Sequence, residues 1–301
     1  MKKLLENNLS AHLSALLTIF IWGTTFVSTK ILLSSFSPIE ILILRFLIGF
    51  VILALIYPKF LKPQSFKTEA IIAAAGLCGI CLYYLLENIA LTYTRASNVG
   101  IIVAAAPFFT AIFSKFIFKE KEKLQPNFFI GFVAAISGIM IISVQNQGIE
   151  VNPLGDFLAL FAAIIWAIYS LLTKKISTYK LNTIQTTRRI FLYGLIFMIP
   201  FAAVFKFKFQ PALIFNFNNI IHLLYLGIGA SALCFVSWNF SVKKLGAVKT
   251  SIYIYMVPVI TVIASAIVLH EKITFSLIAG ASLTISGLAI SEIKFKRRKS
   301  K

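Results

Sequence analysis

The chain has 301 residues, 59% of them hydrophobic and only 13% charged, with a formal net charge of +19. A mean hydropathy of +0.90 excludes an ordinary soluble domain. The positive charge does not call for nucleic acid, because it is segregated from the apolar runs and falls mainly in the breaks between them.

Runs of roughly 20 mostly uncharged residues, each long enough to cross a hydrocarbon core as a helix, alternate with short polar breaks. They predict ten spans, at 12–34, 38–57, 70–91, 97–118 and 127–145, then 155–174, 184–205, 219–241, 247–269 and 274–292. The longest breaks, 58–69 and 206–218, are too short to hold a soluble domain, so any site must lie among the helices. Lys2 and Lys3 ahead of the first run resemble a signal peptide. That run reaches 20 residues without a small-residue cleavage site, and it is read as the first span.

Assigning the breaks to alternate sides puts 20 of the 29 lysines and arginines on one side and four on the other, the remaining five lying within or near span ends. The positive-inside rule then makes this a multi-pass protein of the cytoplasmic (inner) membrane with both termini cytoplasmic. The basic tail at 293–301 acts as a topology determinant, with anionic headgroups as a second use.

In the second span, ILILRFLIGF wraps apolar residues around Arg45, about seven residues past Pro38 and so roughly 10 Å deep at 1.5 Å per residue. An arginine at the bilayer centre costs about 3 kcal/mol, which favours an inward-facing place. The third span holds Cys78 and Cys81, read as small apolar packing residues, then Tyr83, Tyr84, Glu87 and Asn88. Glu87 is the one acid well within a span. It either takes up a proton during a transport cycle or serves as a cap or an arginine partner.

Pro107 and Pro258 fall near the centres of the fourth and ninth spans. Each removes an N–H and crowds the carbonyl four residues back, at Val103 and Ile254. A kink for packing and a direct substrate contact are both open readings. Aromatic residues at Trp22, Trp166, Tyr169, Trp238, Tyr253 and Tyr255 either line an amphipathic cavity or pack and anchor helices.

Sliding the chain on itself exposes an internal repeat. An offset of 144 aligns Trp22 with Trp166, Lys30 with Lys174 and Arg45 with Arg189. An offset of 151 aligns Asn88 with Asn239, Pro107 with Pro258, and Glu120–Lys121 with Glu271–Lys272. At 149, Gly131 and Gly138 meet Gly280 and Gly287, a small-residue spacing that reads as close helix packing, with a homodimer contact as the lesser option. The halves, 12–145 and 155–292, hold five predicted helices each. Five is odd, so the second copy enters from the opposite side and the repeat is inverted.

The patterns IFIWGTTFVSTKIL, SPIEILILRFLIGF and NIALTYTRASNVGIIVAAAPFFTAIFSKFIFKEK resemble the EamA-type members of the drug/metabolite transporter superfamily. The resemblance covers nearly the whole chain, twice over. It departs in the second half, where IIWAIYS lacks a glycine after Trp166 and Arg188–Arg189 doubles the arginine. It implies an all-α fold of ten transmembrane helices in two inverted five-helix repeats around a central cavity, moving small metabolites, often amino acids by export.

The expected function is therefore secondary transport by alternating access, with import or exchange of a charged metabolite as the alternative and a non-transporting structural subunit as the rival class. A primary pump is excluded because KKLGAVKTS has Lys243 and Val248 where a phosphate loop requires glycine. An enzyme is disfavoured because His12, His222 and His270 are scattered and paired carboxylates are missing. The expected partners are a small-molecule substrate and membrane lipid, with no cofactor and a monomer or weak homodimer as the working unit. The candidate substrate-binding residues are Trp22, Arg45, Tyr84, Glu87, Asn88, Pro107, Trp166, Tyr169, Arg189, Trp238, Asn239, Tyr253, Tyr255 and Pro258. Arg45 and Arg189 are read either as donors to a carboxylate or phosphate or as ties to helix-end carbonyls and glutamates, with the structural or gating use favoured.

Overall fold

The computed structural model describes residues 2–118, 126–144 and 153–292. Helices occupy all ten predicted stretches. They are numbered α1 (Lys2–Leu32), α2 (Pro38–Ile56), α3 (Phe66–Tyr93), α4 (Ala96–Ile117), α5 (Pro126–Val144), α6 (Pro153–Ser177), α7 (Thr183–Val204), α8 (Phe217–Leu245), α9 (Ala247–Val268) and α10 (Phe275–Glu292). Among the described residues eight are long and apolar enough to cross a membrane. In α5 and α10 the corresponding apolar runs are the shorter Phe129–Gly138 and Phe275–Gly287. The protein is thus an all-α, multi-pass membrane protein.

The helix starts follow local chemistry. Pro38, Pro126 and Pro153 open their helices, where a missing N–H costs nothing. Asn182 and Asn216 cap α7 and α8 by accepting from the backbone N–H groups two residues on, at 3.0 and 3.1 Å. Gly246, at φ +86°, makes the sharp link from α8 to α9.

Burial is inside out relative to a soluble protein. Leu55, Ile199, Val204 and Ile263 are exposed on the outside, whereas Arg45, Glu87, Asn88 and Ser231 are buried. An apolar exterior is what a lipid solvent demands, and the polar groups are left to find one another within.

Helices of the first half pack on helices of the second. α1 runs against α8 and α9, α2 against α7 and α8, α3 against α6 and α7, α4 against α6 and α9, and α5 against α10. Close crossings depend on glycine. A Cβ at Gly287 would sit 2.5 Å from the Gly131 carbonyl oxygen, and one at Gly138 would sit 2.5 Å from that of Gly280, so the repeated glycines are used within one chain to join α5 to α10.

Hydrogen bonds sort the connecting segments onto two ends of the bundle. At one end Glu40 accepts from the Lys208 N–H at 3.0 Å. Lys30 donates to the carbonyls of Leu91 and Thr94, and Glu271 accepts from the N–H groups of Ala96 and Ser97. These contacts gather the segments around 33–37, 94–95, 205–210 and 269–274. At the other end Arg188 donates to the carbonyls of Tyr57 and Lys59, and Arg189 to that of Leu61, while Lys243 reaches the Leu181 carbonyl. The pair Glu120–Lys121, the segment 145–152 and the basic tail lie outside the described residues.

The central cavity as candidate functional site

Both α3 and α8 carry a π-helical stretch, Leu77–Leu82 and Tyr225–Leu233. Such a stretch adds a residue to the turn and resets the face that follows it, a device frequent at functional sites. In α3 it immediately precedes Tyr83, Tyr84 and Glu87, and in α8 it precedes Cys234, Phe235 and Trp238.

Around the face reset in α3 lies a small cavity of about 30 Å³. Its wall is formed by Trp22, Thr25 and Phe26 of α1, by Tyr83, Tyr84 and Glu87 of α3, and by Val103 of α4. The second half contributes Trp166 of α6 with Ile254 and Val257 of α9. Trp22 and Trp166, aligned by the repeat, meet edge to face with ring centroids 5.0 Å apart. The Trp22 indole donates to the Ala230 carbonyl at 2.9 Å, and the Tyr83 ring lies 4.8 Å from Trp166.

The one ionisable acid in the wall is Glu87, only 1% exposed, and its Oε1 has no hydrogen-bond partner among the described residues. Arg45 is fully buried on α2, within Coulombic reach of Glu87 but not part of the wall. Its Nε donates to the Ser231 hydroxyl at 3.2 Å, and its guanidinium carbon lies 4.2 Å from the centre of the Tyr84 ring, a cation–π distance. Nη1 and Nη2 have no partner among the described residues. The place is set by the crossing of α2 with α8, where a Cβ at Gly227 would stand 3.1 Å from the Arg45 carbonyl oxygen.

The proline-bearing helices are interrupted beside the cavity. α4 breaks at Ala104–Ala105, whose N–H groups bond three residues back to Ile101 and Ile102, and α9 tightens to a 3₁₀ turn over Ile252–Met256. Val103 and Ile254, the residues four before each proline, are both in the wall, whereas Pro107 and Pro258 are buried and outside it.

Four sequence-derived candidates therefore share the cavity: Trp22, Tyr84, Glu87 and Trp166. Trp238 stands behind it, fully buried, 5.2 Å from Trp22 and 6.0 Å from Trp166. Asn88 donates to the Pro38 carbonyl at 3.1 Å. Tyr169 donates to Asn239, which donates to Thr187, both at 3.0 Å. This chain runs beside a second hollow of about 30 Å³ near the 178–182 segment. Tyr253 bonds His12 of α1, and Tyr255 is buried in α9 outside the wall. Arg189 is far from its repeat partner, engaged with the Glu69 carboxylate at 3.0 Å and the Leu61 carbonyl at 2.5 Å. A glutamate and a backbone carbonyl are the kinds of partner that the structural reading of Arg189 expects.

Sequence reasoning singled out neither Thr25, Phe26, Val257 nor the side chains of Val103 and Ile254, and it mentioned Tyr83 only as a neighbour of Glu87. The signal was available in part: Thr25 and Phe26 follow Trp22 by three and four residues, and Tyr83 precedes Glu87 by four, so each shares a helix face with a residue already chosen.

Comparison with known proteins identifies the family. The EamA-like transporter family model matches residues 9–144 and again 153–292. An uncharacterized transporter of Archaeoglobus fulgidus is 29% identical over 294 residues, covering 95% of this chain and 99% of that protein. The uncharacterized transporter YvbV of Bacillus subtilis is 27% identical, covering 99% and 96%. A solved crystal structure superposes with a TM-score of 0.66 at 20% identity over 94% of this chain and 96% of that one, a likeness of fold. Members of this family carry small molecules across membranes by secondary transport and are not enzymes. The chain, matched along both of its halves, belongs to the EamA-like transporter family.

Proposed function

We propose that the protein exports small organic metabolites, amino acids first among them, across the cytoplasmic membrane by alternating access. The observation that carries this reading is the cavity itself: buried, walled by both halves, and lined by the two repeat-related tryptophans and by the Glu87 carboxylate, whose Oε1 has no hydrogen-bond partner among the described residues. Two five-helix units, 12–145 and 155–292, rock against each other as inverted copies. The sorting of connecting segments onto two ends supports the inversion, since α1 ends at the face where Glu40 and Glu271 are bonded and α6 ends at the opposite one. The lysine-rich end, with the termini and the tail at 293–301, is cytoplasmic by the positive-inside rule.

Glu87 is proposed as a proton carrier exchanging against substrate, in the company of Arg45, Tyr83 and Tyr84. Exchange of a charged metabolite is the second reading, and it has in its favour the two unpartnered terminal nitrogens of Arg45. The test is transport by the purified protein in liposomes under an imposed pH gradient. Glu87→Gln is expected to abolish the dependence on the gradient, and Pro258→Ala to slow flux more than it lowers thermal stability. Normal flux in both variants removes these residues from the pathway, and no flux of any solute sinks the carrier reading.

A further inference from the structure

We infer that the cavity recognises its substrate through a cationic ammonium group, and that a carboxylate on the same molecule is dispensable for binding. This rests on the carrier reading and specifies what the site of that carrier reads.

The argument is the composition of the wall. Five aromatic rings, those of Trp22, Phe26, Tyr83, Tyr84 and Trp166, surround a small space whose single charged group is Glu87. Aromatic faces are electron-rich and attract cations, most strongly when water is excluded. An ammonium among them adds the Coulombic attraction of a buried carboxylate whose Oε1 is unsatisfied. A carboxylate in the same space meets no cation in the wall, and it meets Glu87 as a like charge.

Arg45 does not reverse this sign. Its guanidinium is fully buried, lies against Tyr84 and is held by Ser231, and no part of it lines the cavity. It balances the Glu87 charge within the protein, so that the acid is not an isolated buried ion. The site is thus organised as a negative, aromatic receptor backed by a fixed internal counter-charge.

The experiment uses four probes with one side chain and different head groups: phenylalanine, 2-phenylethylamine, N,N,N-trimethyl-2-phenylethylammonium and 3-phenylpropionate. All three tryptophans of the chain, Trp22, Trp166 and Trp238, lie within the cluster at the cavity, so intrinsic emission of the purified full-length protein reports occupancy. The two cations and the zwitterion are expected to bind within about tenfold of one another, and 3-phenylpropionate at least tenfold more weakly than 2-phenylethylamine. Glu87→Gln is expected to weaken 2-phenylethylamine about 10- to 100-fold, the effect of a lost charge-assisted contact. Trp166→Leu tests the rings independently and is expected to weaken the trimethylammonium probe up to about 30-fold.

Equal or tighter binding of 3-phenylpropionate overturns the inference, as does amine binding unchanged in a folded Glu87→Gln or Trp166→Leu protein, or binding of no probe at all. If the liposome assay shows flux of an anion without an amine, the carrier reading stands and this inference falls.

Discussion

The contact between Glu271 and the start of α4 allows a quantitative test of how one end of the bundle is closed. The Glu271 carboxylate accepts from the Ala96 N–H at 3.0 Å, the Ser97 N–H at 3.3 Å and the Ser97 hydroxyl at 2.6 Å. Arg95, at the N-cap position, supplies no side-chain cap, so α4 is capped from across the chain, some 175 residues away. Glu271→Gln keeps one acceptor oxygen, removes the charge and turns an NH₂ donor towards groups that are themselves donors. A hydrogen bond to a charged group contributes about 1.5–3 kcal/mol, and a negative charge at a helix N-terminus about 0.3–1 kcal/mol. The expected loss is about 2 kcal/mol, a shift of about 30-fold in the equilibrium between closed and open ends.

The assay is modification of a reporter, Thr25→Cys on the cavity wall, by a charged maleimide, in a protein whose Cys78, Cys81 and Cys234 have been replaced. If opening at this end limits access, Glu271→Gln raises the labelling rate about 30-fold, while Lys272→Gln leaves it within about twofold. An unchanged rate in a folded Glu271→Gln protein refutes the reasoning.

Gly287→Ala is expected to destabilise the protein by about 1–3 kcal/mol, the usual cost of overpacking, because its Cβ would meet backbone atoms of Gly131 and Ala135 at 2.5 and 2.6 Å. A thermal unfolding midpoint equal to that of the parent rejects the close crossing of α5 and α10. Arg189→Ala is expected to cost about 1 kcal/mol, modest because both partners are partly exposed, and to leave transport per folded molecule unchanged. Lost flux at unchanged stability would put Arg189 in the pathway instead.

How much of the site was legible depends on how local its causes are. Glu87 stands out because an acid in an apolar run is costly unless something inside the bundle accounts for it, and the structure places it in the cavity wall. Trp22 and Trp166 were found through the repeat, which brings equivalent positions of α1 and α6 together. Arg45 and Arg189 show the limit of the same reasoning. They align at an offset of 144, yet one is fully buried beside Tyr84 and the other is paired with Glu69 at a bundle end. Equivalence in sequence does not carry over the neighbours, and Arg188 adds a second cation at the end where Arg189 lies.

The sequence by itself determined the solvent and the helices, because hydropathy, run length and the positions of proline and capping residues act within a few residues of where they stand. Nine of the ten helices fall within about four residues of the predicted limits, whereas the first begins at Lys2, ten residues before the predicted start at 12, because a helix continues past the end of its apolar run. Tertiary structure alone decided which faces meet: the π-helical stretches that turn Tyr83 and Tyr84 inward, the crossing that sets Arg45 behind the wall, and the reach of Glu271 to the first turn of α4. Each of these depends on partners more than a hundred residues away or on a backbone deviation that no residue type announces, so no local pattern encodes it.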